Sequence, residues 1–277
     1  MQKTILITGS TDGIGLQTAR RLVSEGHHIL LHGRNPSKTE EVTKALSGLP
    51  GGGTVTSYLA DLSRMNEVET LADSVIRKVD GGPTRLDVLI NNAGVYKASD
   101  PKTKDGFEVR FAVNTMAPYL LTRRLLSSLG TTGRVINLSS AAQAPVDLEA
   151  LAGRVQLSDS AAYAQSKLAL TMWSRSLALR LGNGGPTIVA VNPGSFLGTK
   201  MVQQAYGMAG GDIGIGAAIL HQAALAEEFA AASGQYYDND AGRFAPPHPD
   251  ALDPRKCQEV VREIEGVLSA LGHEIPD

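Results

Sequence analysis

The chain has 277 residues, is 42% hydrophobic and 19% charged, and carries a formal net charge of −2. That composition suits a protein with a real buried core, and the scattered Lys and Arg exclude a basic nucleic-acid stripe. A lone cysteine, Cys257, rules out a disulfide within the chain and points to a reducing, cytoplasmic setting, while the histidines lack ligand spacing, so no metal site is expected.

In chain order, short β-branched runs alternate with helical periods. Thr4 to Thr8 is predicted as the first strand, and the apolar run there is too short for a signal peptide. Leu16, Ala19, Leu22 and Val23 put one apolar face on a helix over Gly15 to Ser24. His28 to His32 and Val55 to Leu59 are the next strands. Met65, Val68, Leu71, Ala72, Val75, Ile76 and Val79 form a helical stripe. Further strands are expected over Asp87 to Asn91, Arg134 to Leu138 and Thr187 to Val191. Apolar strands separated by helices predict a single α/β domain: a doubly wound parallel sheet in a three-layer α/β/α arrangement. Ile213 to Ala232 is the longest apolar stretch, but His221, Glu227 and Glu228 make it a packed helix and no membrane span. Beyond Pro193 the alternation fades. Ser195 to Gly214 reads as a mobile segment, and Asp253-Pro254 opens a last helix reaching about residue 271 that also holds Cys257.

The first strand runs into Thr8-Gly9-Ser10-Thr11-Asp12-Gly13-Ile14-Gly15. Glycines here let backbone approach a pyrophosphate, whose charge a helix N-terminus favours. Asp12 is a contrary sign, since a carboxylate repels a phosphate. The second strand ends at Arg34 with no acid, which suits a 2′-phosphate better than a free ribose, although a solvated surface arginine is the alternative. Tyr163 and Lys167 stand four apart at the head of a helix, on one face. An ammonium there favours the phenolate, which lets a tyrosine exchange a proton with an alcohol oxygen. Alone, Tyr-x-x-x-Lys is a weak pattern.

It does not stand alone. Thr8-Gly9-x-x-x-Gly13-x-Gly15, Asp61-Leu62, Asn91-Asn92-Ala93-Gly94, Asn114, Asn137-Leu138-Ser139-Ser140, Tyr163-x-x-x-Lys167 and Pro193-Gly194 occur in that order. In these motifs the chain resembles the single-domain branch of the short-chain dehydrogenase/reductase family, well over Thr4 to Gly194 and loosely beyond. The resemblance implies hydride transfer between NADP(H) and a carbonyl or alcohol. It implies Tyr163 as general acid/base, with Lys167 tuning it and holding the nicotinamide ribose. Ser140 would bond the substrate oxygen, with Ser139 as the alternative donor. Asn114 would anchor a water-linked proton path at a helix kink, or else only satisfy buried backbone. Cofactor contacts are expected from Gly9, Ser10, Thr11, Asp12, Gly13, Ile14 and Gly15, from Arg34, Asp61 and Leu62, from Asn91, Ala93 and Gly94, from Tyr163 and Lys167, and from Pro193 and Gly194. Subunit pairing through the helices containing Asn114 and Tyr163, giving a homo-oligomer, is implied by the same resemblance.

Ser140 and Tyr163 are 23 positions apart, and the stretch Asp147 to Ser160 between them is similar to the retinol-dehydrogenase-like subgroup, as are Lys104 to Glu108 and Ser233 to Tyr237. Gln143 stands where that subgroup often has a histidine. Two other functions stay open: a cofactor-sensing binding protein without chemistry, and a sugar-nucleotide epimerase or dehydratase. Phe196, Leu197, Met201, Val202, Tyr206 and Met208, punctuated by glycines, make residues 195–216 a lid candidate over an apolar small-molecule substrate.

Overall fold

The protein is described from a computed structural model covering residues 1–80 and 85–276. The strands β1 (Thr4–Ile7), β2 (His28–Gly33), β3 (Thr54–Leu59), β4 (Val88–Asn91), β5 (Arg134–Leu138), β6 (Thr187–Asn192), β7 (Tyr236–Asp238) and β8 (Arg243–Ala245) form one sheet, in the order β3-β2-β1-β4-β5-β6-β7-β8. All neighbours are parallel except β8, which turns back on β7. The order reverses at β1 and β4, and a parallel sheet opens a crevice beyond the strand ends at such a point.

The helices are α1 (Gly13–Ser24), α2 (Pro36–Ser47), α3 (Met65–Asp80), α4 (Val109–Phe111), α5 (Ala117–Leu129), α6 (Leu148–Leu151), α7 (Asp159–Leu181), α8 (Lys200–Tyr206), α9 (Ile213–Leu225), α10 (Pro249–Leu252) and α11 (Pro254–Ala270). Alternation along each strand sorts its side chains to two cores. Ile5, Ile7, Ile29, Leu31, Val88 and Ile90 pack in the core with α1 and α9 residues such as Leu22 and Leu220. Leu6, Leu30 and Leu89, between them, pack on the opposite side with residues of α3, α5 and α7 such as Val75, Leu120 and Trp173. Both faces are covered, which is why the strands read as continuous apolar runs. No helix among the described residues is long and apolar enough to cross a membrane.

Three features differ from expectation. β7 and β8 are absent from the sequence reading because three-residue strands are too short to show a period. The segment read as mobile contains α8, capped by the Thr199 side chain on Val202 N–H and ended by left-handed Gly207. Finally, α11 lies over α7 and reaches α5: Tyr119 and Arg123 both donate to Glu265, and Glu263 pairs with Arg154 at 3.1 Å. The chain's own last helix thus packs on part of the α5 and α7 surface through which subunit pairing is expected. Cys257 is buried on that helix, and desolvation pushes its thiol up to about 11.

Candidate active site

The turn between β1 and α1 is held from beneath. Gly9 (φ +65°) and Gly13 (φ +54°) adopt left-handed backbone, and a Cβ on Gly9 would lie 2.9 Å from Ala93 Cα. That closeness lets the end of β4 support the turn. The Asn92 side chain donates to the carbonyls of Thr8 (2.8 Å) and Gly9 (3.1 Å), while Thr8 Oγ1 accepts from the N–H groups of Asn92 and Ala93. On the other side, His32 Nδ1 accepts from Gly9 N–H at 3.0 Å. Nε2 must then carry the proton and donate to Ala60 O, 3.1 Å away. Burial pulls this imidazole down to about 4, so it is neutral above that pH.

The contrary sign at Asp12 has a structural resolution. Its carboxylate caps α1 at Gly13 N–H and lies 2.7 Å from both Lys38 and Lys200 Nζ. Burial alone would raise its pKa, but the two lysines and the Gly13 N–H hold it at about 2. One negative charge therefore sits between two positive ones beside the glycine turn. Arg34 is exposed on the rim where β2 ends. Leu62 is buried in the wall, and Asp61 Oδ1 accepts from Ser63 N–H and Oγ.

At the other end, the helical path from α4 to α5 passes through a π-helical stretch, Ala112–Met116, which contains Asn114. This is a physical form of the expected kink. Asn114 Oδ1 accepts from Val95 N–H at 2.8 Å, and its Nδ2 donates to Val95 O and Ser166 Oγ, both at 3.0 Å. Tyr163 and Lys167 lie one turn apart on α7. Lys167 Nζ donates to Leu138 O at 2.7 Å and stands 5.7 Å from the Tyr163 ring centroid. Desolvation lowers the Lys167 pKa to about 8. The Tyr96 ring packs on Tyr163 with centroids 5.0 Å apart. Of the serine pair, Ser139 is buried with Oγ 2.7 Å from Thr171 Oγ1, whereas the half-buried Ser140 uses its oxygen only to accept from Ala142 N–H. Ser140 is the one with a donor to spare.

These groups share a cavity of about 620 Å³. From the sequence expectation it brings together Gly9, Thr11, Asp12, Gly13, Ile14, Arg34, Asp61, Leu62, Ala93, Gly94, Ser140, Tyr163, Lys167, Pro193 and Gly194. It does not bring Ser10, Gly15, Asn91 or Asn114 to its wall. Ser10 Oγ turns inward to donate to Ile7 O and accept from His32 N–H. At Gly15 a Cβ would lie 2.4 Å from Asn92 Nδ2, so this glycine serves packing. Asn91 Nδ2 bonds Thr122 Oγ1 and Asn137 Oδ1 below the floor. Asn114 is 1% exposed and acts from behind Gly94. Sequence reasoning missed His32, Lys38, Asn92, Tyr96 and Lys200 as residues of the site. Asn92 stood inside a recognised motif; the others carry no pattern. Of the lid residues named above, the Tyr206 side chain lies outside those described.

Comparison with known proteins shows the family and the fold. A family model described as short chain dehydrogenase matches residues 3–210. Retinol dehydrogenase 13 of Mus musculus is 33% identical over 294 residues, covering 99% of this chain and 86% of its own. A short chain dehydrogenase from Burkholderia cenocepacia, solved in complex with NADP, is 27% identical with a TM-score of 0.67, covering 85% of this chain and 95% of its own. The landomycin C-6 ketoreductase LanV, solved with NADP and rabelomycin, is 28% identical with a TM-score of 0.67, covering 86% of this chain and 94% of its own.

Proposed function

The chain belongs to the short-chain dehydrogenase family of oxidoreductases, and on that premise we propose that it interconverts a carbonyl and an alcohol with NADP(H), on substrates with an apolar body. The observation that carries this reading is the convergence of Ser140, Tyr163 and Lys167 on one cavity with the glycine turn. The turn fits a dinucleotide: its left-handed glycines leave no side chain between backbone and ligand, and α1 points its N-terminus at the same space. The first turn would hold the pyrophosphate, Asp61 and Leu62 the adenine, and Pro193-Gly194 the nicotinamide. Arg34 on the rim, with no acid at the end of β2, supports a 2′-phosphate.

The bound nicotinamide would supply a hydride to the carbonyl carbon. The protein's part is to handle the oxygen. Ser140 Oγ–H and Tyr163 Oη–H both donate to it, and the tyrosine proton passes over as negative charge develops. The Lys167 ammonium stabilises the phenolate left behind. In the reverse direction the phenolate takes the alcohol proton. Asn114 acts through Val95, whose backbone it fixes, and so shapes the floor under Tyr96. Tyr96, Phe196, Leu197, Met201 and Val202 line the substrate end and suit an apolar body, with Lys97 as an exposed cation beside them; Lys200 is paired with Asp12. The test is incubation of purified protein with NADPH and a panel of ketones and aldehydes. Oxidation of NADPH with apolar carbonyls supports the reading. Binding of NADPH with no turnover across the panel favours a cofactor-sensing protein instead.

A further inference from the structure

Among the described residues Arg110 is the largest charged side chain sealed inside the protein, 1% exposed, and it does not line the cavity. A guanidinium is buried only with partners for its donors, and each partner here belongs to a segment that carries the site. Its Nη1 pairs with Glu108, which caps α4 by accepting from the N–H groups of Arg110 and Phe111. That helical turn runs directly into the π-helical stretch with Asn114. Its Nη2 makes no hydrogen bond among the described residues and lies 2.5 Å from Asp159 Oδ1, so this arm is an ion pair by charge and distance alone. Asp159 is the first residue of α7, one turn before Tyr163 and on the same face. Its Nε donates to Tyr96 O at 2.5 Å, and the ring of Tyr96 is the one packed on Tyr163.

We propose that Arg110 is a positioning residue: it clamps the first turn of α7 and the Tyr96 segment onto the turn before Asn114, and so fixes where the Tyr163 hydroxyl meets the substrate oxygen. This rests on the reading of Tyr163 as the proton donor. The planar fork of arginine reaches three partners in three directions at once, and a lysine ammonium in the same place cannot. Asn114, one turn later, grips the neighbouring residue Val95 by both its backbone groups, so the 95–96 segment is held at two adjacent points.

The Asp159 arm makes the proposal testable without emptying the core, because that side chain is 49% exposed. Asp159→Ala, Arg110→Lys and Tyr163→Phe are compared with wild type for kcat, NADPH affinity, pH profile and thermal midpoint. Misplacing the donor predicts a kcat about ten- to a hundredfold lower in Asp159→Ala and Arg110→Lys, with NADPH Kd kept within about twofold. The pH of half-maximal kcat should also move, and Asp159→Glu should recover part of the rate. If Tyr163→Phe is inactive while Asp159→Ala keeps the wild-type rate and pH profile, the clamp is overturned and the reaction stands. Equal losses of kcat and NADPH affinity in Asp159→Ala would mean general loosening, and also overturn it. Failure of Arg110→Lys to fold leaves the decision with Asp159→Ala. A wild-type rate in Tyr163→Phe overturns the reading of the reaction and the clamp with it.

Discussion

The glycine-turn wall and the wall made by residues 195–216 face the same cavity but are held in different ways. The first is tied by part-buried bonds to the ends of β4 and β2, through Asn92, Thr8 and His32. The second is tied at its ends and across its own backbone. Ser195 N–H and Oγ–H donate to Asp240 beyond β7, Gly198 N–H donates to Gly211 O, and Gly211 N–H donates to Phe196 O. Phe196 itself sits at φ 53°, and Phe196, Met208 and Ile215 expose apolar surface. Across the gap the two walls meet in the solvent-facing pair of Lys200 with Asp12. Such exposed pairs are weakly stabilising and screened by salt. In the proposed reaction the firmly tied wall would take the constant cofactor and the lightly latched wall would close over a variable substrate.

The contrast can be sharpened by variants on the rigid side. Lys167→Met should show the largest effect, a kcat lower by about a hundred- to ten-thousandfold, because the phenolate loses its cation. Stability should not fall with it. Burial lowers the lysine to about 8 from an ordinary 10.5, so between those values the unfolded chain binds more protons and wild-type stability rises with pH. Below about 8 the buried charge is a cost, and Lys167→Met removes it. Thermal melting of both proteins at neutral pH checks this; a large drop in the variant would make Lys167 a structural residue.

His32 gives the next effect. Its pKa is about 4 in the fold against an ordinary 6.5, again because of burial. Over that window the unfolded chain binds more protons, so stability is lost as pH falls from 6.5 towards 4, by roughly 3 kcal/mol at most. His27 and His28 are lowered too and add in the same direction. His32→Gln keeps one acceptor and one donor without a charge, and denaturant melts across this range should show a shallower slope. An unchanged slope would remove His32 as the proton-linked support of the turn. Arg34→Ala should come last, weakening NADPH binding by about ten- to a hundredfold and leaving NADH nearly unchanged. Equal losses for both cofactors would mean that Arg34 holds the loop.

The rigid wall was also the legible one. Six of the strands, the glycine turn and the Tyr163–Lys167 face announce themselves because backbone geometry and burial restrict what those positions accept. The second wall has no apolar period, its polar partners Asp240 and Asp12 lie far off in sequence, and its short helix α8 hides among glycines. Other gaps have different causes. Ser10 and Asn91 lie within motifs yet face inward, since a motif fixes neighbours in sequence and not the side of the backbone a hydroxyl takes. Arg110, Glu108 and Asp159 meet across the fold from positions 51 apart or less, with no local spacing to betray them. The C-terminal helix was predicted, but its seat on α7 and α5 depends on tertiary contacts such as Glu265 with Tyr119.

Proton donation by Tyr163 is the step on which the proposed reaction depends most directly. Single-turnover reduction of an accepted carbonyl by the NADPH-loaded protein, wild type against Tyr163→Phe, isolates the chemical step from cofactor exchange. The rate should be about two to four orders of magnitude lower in the variant, with NADPH bound as tightly as before and the fold unchanged. A variant that turns over at the wild-type rate would contradict proton donation by Tyr163.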